Sequence, residues 1–325
     1  MLFRTEVKPD SMSGAISHDS RIMMLGSCFS DNMASQLKKR LFNVCSNPFG
    51  TLFNPASIAR SLQRIASGKP FTTDDIFQSG SLFRCYDCHS SLCRASENEM
   101  LCELNSTLEE ANSFLRKVSD IFLTFGTAWI FELRDTGQIV ANCHKQRPDT
   151  FTRRMMDVDE TEYCIRNSIE TIRAVAPAAK IHLTVSPVRH LADGAHGNSL
   201  SKATLLLAAE RVASCGDAVY FPSYEMLIDD LRDYRFYASD LCHPSEFAVD
   251  YIYERFSETF FNRQTIKEAS QCEKLFQRLS HRFLTPDAAA IEAFNRSTLQ
   301  LRDSLLQQYP EINEALSRVE KNIQQ

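Results

Sequence analysis

The sequence predicts an α/β protein: a parallel sheet covered by helices on both faces, followed by a helical extension. Three observations predict it. Short apolar runs alternate with helical stretches of 10–17 residues, the pattern of βαβ units. The unusual residue clusters fall where those runs end, at 26–28, 47–50, 126–129, 186–190 and 222–225, where a parallel sheet keeps its functional loops. From residue 263 the alternation gives way to charge-rich helical periodicity.

The elements follow in order. "RIMML" is the first strand, and a helix is expected near 30–42. "FNVCSNPFG" is a short strand entering a turn, and "IARSLQRIASG" a helix stopped by Gly68. Residues 71–104 look irregular, an insertion rather than a core element. "STLEEANSFLRKVSD" reads as a helix capped by Ser106 or Thr107. "IFLTFGTAWIFEL" is a buried strand reaching a Gly, and the chain then turns at Asp135-Thr136-Gly137 into a hairpin. "TEYCIRNSIETIRAVAP" is an amphipathic helix ended by Pro177. "KIHLTVSPV", "SLSKATLLLAAERVAS" and "AVYFPSYEML" continue the alternation, and "SEFAVDYIYERFSETFF" is the last helix of the first unit. Residues 1–262 therefore form one domain. Residues 263–325 form a helical hairpin broken at Pro286, which packs on the core or makes a homodimer contact.

Composition narrows the function classes. The chain has 325 residues, 43% of them of apolar type, enough for a sizeable core. Its formal net charge of −5 gives no electrostatic case for a nucleic-acid partner. No apolar run approaches the roughly 18 residues of a membrane span. "MLFRTEVKPD" lacks the apolar stretch of a secretory signal. The 11 cysteines, an odd and scattered set, suit a reducing, cytoplasmic setting. Cys85, Cys88, Cys93 and Cys102 cluster around His89. Only Cys85 and Cys88 have zinc-knuckle spacing, so a Cys-rich loop is expected and no metal.

The chemistry-bearing residues lie at two strand ends. Ser27 and Cys28 follow the first strand and Gly26, at a helix N-terminus. There a hydroxyl can be exposed and backbone N–H groups can face a developing oxyanion. A Ser in that place is also a favoured helix cap. Far downstream, "SDLCHPS" sets Asp240 three residues before His243, on one side of a turn. The carboxylate can accept from imidazole Nδ1–H and leave Nε2 as a base.

Nine segments carry a family resemblance: "GSCFS", "NPFGT", "TFGTAW", "NCHK", "SPVRH", "SKATLL", "YFPSYE", "DLRDYRFY" and "DLCHPS". Together, and in this order from about 20 to 260, they resemble the GSCFA family of the SGNH/GDSL hydrolase superfamily. The resemblance implies a flavodoxin-like three-layer α/β/α domain, with Ser27 as nucleophile and Asp240 and His243 completing a triad. It implies an oxyanion hole made by the N–H groups of Ser27 and Gly50. The Asn that supplies a third donor in such enzymes is missing from "GTAW". Asn142 is the first substitute considered, with His144 second. Ser30 stands where the family usually has Ala.

The function expected from these residues is an ester hydrolase acting on an O-acyl group of a carbohydrate or other small polar substrate. It works through an acyl-enzyme on Ser27, with no metal or organic cofactor. An O-acyltransferase on the same site and a non-catalytic binding module are the alternatives. Cys28 is the competing nucleophile, since a helix N-terminus can lower a thiol pKa. His144, Arg189 and His190 are candidates for substrate contact. The run from Asp229 to Arg235 reads as salt-bridged scaffold and Trp129 as packing. No nucleic-acid or membrane partner is expected. His18, His182, His196 and His281 have no partner that the sequence can name.

Overall fold

The computed structural model of the chain describes residues 4–283 and 287–324. β1 (Arg21–Gly26) is a buried apolar run, and α1 (Cys28–Lys39) begins two residues later, capped by Ser27. Lys38 and Lys39 in its last turn complement the helix dipole. β2 (Asn43–Ser46) leads to α2 (Pro55–Ser67), which has Asn54 as its cap, Pro at its first position and Gly68 in the left-handed region after it. The insertion is ordered as a hairpin, β3 (Phe77–Ser79) with β4 (Leu82–Arg84), and it sends Cys85 and Cys88 into the main core.

α3 (Glu97–Leu115) starts well before the predicted cap. Ser96 caps it by accepting from Glu99 N–H, and Met100, Leu104, Leu108 and Ala111 form one buried stripe through the segment read as irregular. The apolar run at 121–133 is two strands. β5 (Asp120–Phe125) belongs to the main sheet. β6 (Trp129–Leu133) pairs with β7 (Ile139–Val140) across the expected turn, and with β8 (Phe151–Met155), which the sequence reading missed.

α4 (Val158–Val175) opens with a capping box between Asp157 and Glu160. β9 (Lys180–Val185), α5 (Gly194–Ala213) and β10 (Val219–Tyr220) follow. α6 (Ser223–Glu225) runs into a π-helical turn at Met226–Asp230, and α7 (Glu246–Phe260) is capped by Ser245.

The main sheet has the order β10-β9-β5-β1-β2, with every pairing parallel. Counted along the chain this is the doubly wound order 2-1-3-4-5, and it reverses between β1 and β5. Side chains of β1 alternate between faces. Met23 and Leu25 join the core under α2, α3, α4 and α5, whereas Ile22 and Met24 join the one under α1 and α7. That alternation makes the three layers. Each fully buried Leu or Ile in them contributes roughly 1.5–3 kcal/mol.

α8 (Arg263–Leu279), α9 (Ala288–Gln308) and α10 (Asn313–Gln324) have their own small core of Cys272, Leu275, Leu305, Ile312 and Leu316, closed against Leu41. Glu314 pairs with Arg21 and accepts from Asn43, tying α10 to the starts of β1 and β2. The expected break at Pro286 lies outside the described residues. Among the described residues no helix is long and apolar enough to cross a membrane.

Candidate functional site

Gly26 ends β1 at φ +136°, and a Cβ there would sit 2.0 Å from Thr124 O. Only Gly lets β1 and β5 close at this point. The chain turns at once, and Ser27 becomes the α1 cap, its Oγ accepting from Phe29 N–H at 3.3 Å. Ser27 is completely buried at 0% exposure. Its neighbour Cys28 is partly exposed, but burial, reinforced by the Asp31 carboxylate, raises its thiol pKa. A nucleophilic Cys needs the opposite shift. Cys28 therefore lacks the activation that a nucleophilic thiol needs.

The expected pair of free oxyanion donors is not free here. Ser27 N–H donates to Thr124 O at 3.1 Å, extending the β1–β5 ladder by one residue. Gly50 N–H donates to Asn47 O at 2.7 Å, closing a tight turn. Gly50 has φ +78°, and a Cβ on it would meet His89 Cβ at 2.3 Å, so the insertion seats directly on this Gly. The N–H groups one residue further on, of Cys28 and Thr51, have no acceptor among the described residues.

Asp240 and His243 form the expected pair. His243 Nδ1 lies 2.6 Å from Asp240 Oδ2, while Oδ1 accepts from the N–H groups of Cys242 and His243 at 2.9 Å each. Those two N–H bonds, and then the imidazole, hold the Asp240 carboxyl down at about 2. The pair is open to solvent, with side-chain exposures of 49% and 48%. Arg189 N–H donates to Cys242 O and fastens this loop to the one after β9. The Asp240–His243 contact forms, and Ser27 Oγ is not within hydrogen-bond distance of His243. Catalytic hydrogen bonds are often loose before substrate binds.

Between these halves stand two loops pinned by α5. Lys202, buried in the core-facing stripe of α5, donates to Gly126 O at 2.6 Å and Ser186 O at 2.7 Å, joining the loops after β5 and β9. Burial pushes its ammonium down to about 7. Ser201 accepts from Ala128 N–H and bonds Thr127 Oγ1. His190 Nε2 reaches Gly126 from the β9 loop: a Cβ on Gly126 would lie 3.2 Å from this nitrogen and 3.4 Å from Ser27 Cβ. Burial, then the charges of Lys202 and His243, lower His190 to about 4, so its ring is neutral at pH 7. Sequence reasoning missed the role of Ser201 and Lys202. The available signal was a Lys three residues before buried Leu205, on the helix face that also carries Ala209 and Val212.

Asn142 and His144 belong to another cluster. Asn142 Oδ1 accepts from His144 N–H, and Asn142 N–H donates to Tyr86 O. His144 Nε2 lies 2.7 Å from Cys85 O, and its Nδ1 faces Cys93 Sγ. Both fasten the insertion to the segment after β7, and among the described residues neither has a hydrogen bond to Ser27. The Arg189 side chain has no hydrogen-bond or ion-pair partner among the described residues.

Other residues find structural partners. His182 pairs with Asp120 inside the core, and His18 lies between Glu268 and Arg40 O. Asp230 is buried against Tyr251 Oη and Arg4. Among the described residues no group of three or more His, Cys, Asp or Glu is arranged to hold a metal ion. A cleft between α1, α7 and α8, lined by Gln36, Arg40, Asp250, Tyr253 and Glu273, holds no pairing of nucleophile and base. The chemistry gathers instead at the carboxyl edge of the sheet, at the point where the strand order reverses.

The profile of the GSCFA family matches residues 21–256, from the start of β1 into α7. Among curated proteins none matches the chain.

Proposed function

The chain belongs to the GSCFA family, and from that premise we propose that it is a serine-dependent ester hydrolase of the SGNH/GDSL kind. Its substrate would be an O-acyl group on a carbohydrate or other small polar alcohol. The observation that carries the reading is the Asp240–His243 contact at 2.6 Å, anchored by two backbone N–H groups. Such a pair fixes the tautomer with Nδ1 protonated and leaves Nε2 as a base.

In the proposed cycle, Ser27 turns about its Cα–Cβ bond, releases Phe29 N–H and presents Oγ to His243. Oγ attacks the ester carbonyl while Nε2 takes the hydroxyl proton. The bond to the alcohol then breaks, and the imidazolium returns the proton to the leaving oxygen. A water, deprotonated by Nε2, attacks the acyl-enzyme; the acyl–Oγ bond breaks, the imidazolium returns the proton to Ser27 Oγ, and the acid is freed. Asp240 stabilises the imidazolium in both halves.

One observation favours a second reading. Ser27 is shut from bulk solvent, which suits an acceptor hydroxyl in place of water and hence an O-acyltransferase. The test is turnover of p-nitrophenyl acetate with and without an added sugar, in wild type and Ser27→Ala. Free acetate from wild type alone supports the hydrolase. Acetylated sugar supports the transferase. Equal rates in wild type and Ser27→Ala would refute both and leave a binding module.

A further inference from the structure

His190 Nε2 is a buried polar atom with no hydrogen-bond partner among the described residues. Buried donors are rarely left unmade in folded proteins, so this one asks for an acceptor that is absent from the resting protein. Its position narrows what that acceptor is. A Cβ built on Gly126 would lie 3.0 Å from Phe53 O, 3.2 Å from His190 Nε2 and 3.4 Å from Ser27 Cβ, so the imidazole and the Ser27 side chain both pack against Gly126 at the carboxyl ends of β1 and β5.

The ring is held there. It stands T-shaped to the Phe53 ring with centroids 5.6 Å apart, and its backbone N–H donates to Asn198 Oδ1 at 2.8 Å. Lys202 clamps both flanking loops through Gly126 O and Ser186 O. A donor fixed in advance, with its acceptor arriving only during reaction, is the arrangement that stabilises a developing oxyanion without reorganisation. A neutral imidazole can supply one N–H and needs no proton transfer to do so.

We infer that His190 is an oxyanion donor, filling the place of the Asn missing from "GTAW". Its Nε2–H, with Cys28 N–H, meets the negative oxygen formed when Ser27 attacks an acyl carbonyl. The proton stays on Nε2 throughout. This inference rests on the reading of Ser27 as nucleophile. It also gives the orphaned nitrogen a reason to be orphaned, whereas His144 Nε2 already meets Cys85 O.

The test is the rate of Ser27 modification by a fluorophosphonate probe, alongside p-nitrophenyl acetate turnover. His190→Phe keeps a ring against Phe53 but removes the donor. His190→Gln restores an amide N–H at similar reach. His190→Phe should lower the maximal labelling rate and kcat by about 10²–10³-fold, with half-saturation constants within about two-fold. His190→Gln should recover at least about ten-fold of that loss. A His190→Phe enzyme within about three-fold of wild type, with Ser27→Ala unlabelled, would overturn the inference and leave the nucleophile standing. A loss that Gln does not recover would assign His190 a packing role and overturn it too. Absence of labelling in wild type, or labelling that survives Ser27→Ala, would remove the nucleophile reading and this inference with it.

Discussion

Replacing Lys202 by Met tests how the site is held together. The ammonium is buried, donates to two carbonyls, and has its pKa pushed from 10.5 to about 7 by burial. A base with a lowered folded pKa binds fewer protons folded than unfolded between those two values. Stability must therefore rise with pH in that window. Below about pH 7 the full penalty of burying a cation applies. Above about 10.5 it vanishes. Integrating the two titrations from pH 7 to pH 9 gives a gain of about 2 kcal/mol for wild type that the Met variant lacks. The variant also leaves Gly126 O and Ser186 O without their donor, at roughly 1–3 kcal/mol each, but that offset does not change with pH. The upper limit of pH 9 stays below the range where buried thiols such as Cys45 and Cys164, raised to about 11, begin to titrate in the folded state. The assay is urea unfolding of both proteins at pH 7, 8 and 9, with m-values checked for constancy. The wild-type curve should climb relative to the variant by about 2 kcal/mol. Parallel pH profiles would refute the reasoning, because they would mean that Lys202 keeps an ordinary pKa in the folded protein.

Three further outcomes follow from the geometry. Gly26→Ala drives a Cβ to 2.0 Å from Thr124 O at φ +136°, so urea unfolding should show a loss of about 3 kcal/mol or more, and an unchanged midpoint would contradict the β1–β5 contact. Cys28, its thiol pKa raised by burial and Asp31, should react with iodoacetamide at pH 8 more slowly than the exposed Cys102 and Cys215, and Cys28→Ala should keep most activity; fast, activity-linked alkylation of Cys28 would reverse the choice of nucleophile. Asp240→Asn should lower kcat by about 10²-fold or more with little change in KM, and turnover within about three-fold of wild type would show that the 2.6 Å contact to His243 is not used.

Much of the sheet was legible because its strands are buried on both faces and end in sharp turn signals. "RIMML" before Gly26, "KIHLTV" before Ser186 and the helix "SEFAVDYIYERFSETFF" all read directly from local chemistry. What failed needed tertiary context. The first half of α3 looked irregular because its polar residues face solvent while a single apolar stripe packs inward. β8 was invisible because Thr152 and Arg153 are exposed and its pairing with β6 is non-local. At the site, Ser27, Asp240 and His243 were visible through strand-end position and i, i+3 spacing. The contacts of Asn142 and His144 were not legible because they depend on Tyr86 and Cys85, more than fifty residues earlier. Lys202 was overlooked because a Lys reads as surface unless its helix face is counted. His190 was noticed at a strand end, but only its packing on Gly126 beside Ser27 shows where its Nε2 lies.

The central claim is that Ser27 is the nucleophile, served by His243. Incubation of the intact protein with a fluorophosphonate probe, followed by mass-spectrometric mapping of the modified peptide, tests it most directly. The account predicts one adduct, on Ser27 within the peptide containing "GSCFS", which disappears in Ser27→Ala and slows by at least about 10²-fold in His243→Ala. An adduct on Cys28 or elsewhere, or equal labelling of wild type and His243→Ala, would contradict it.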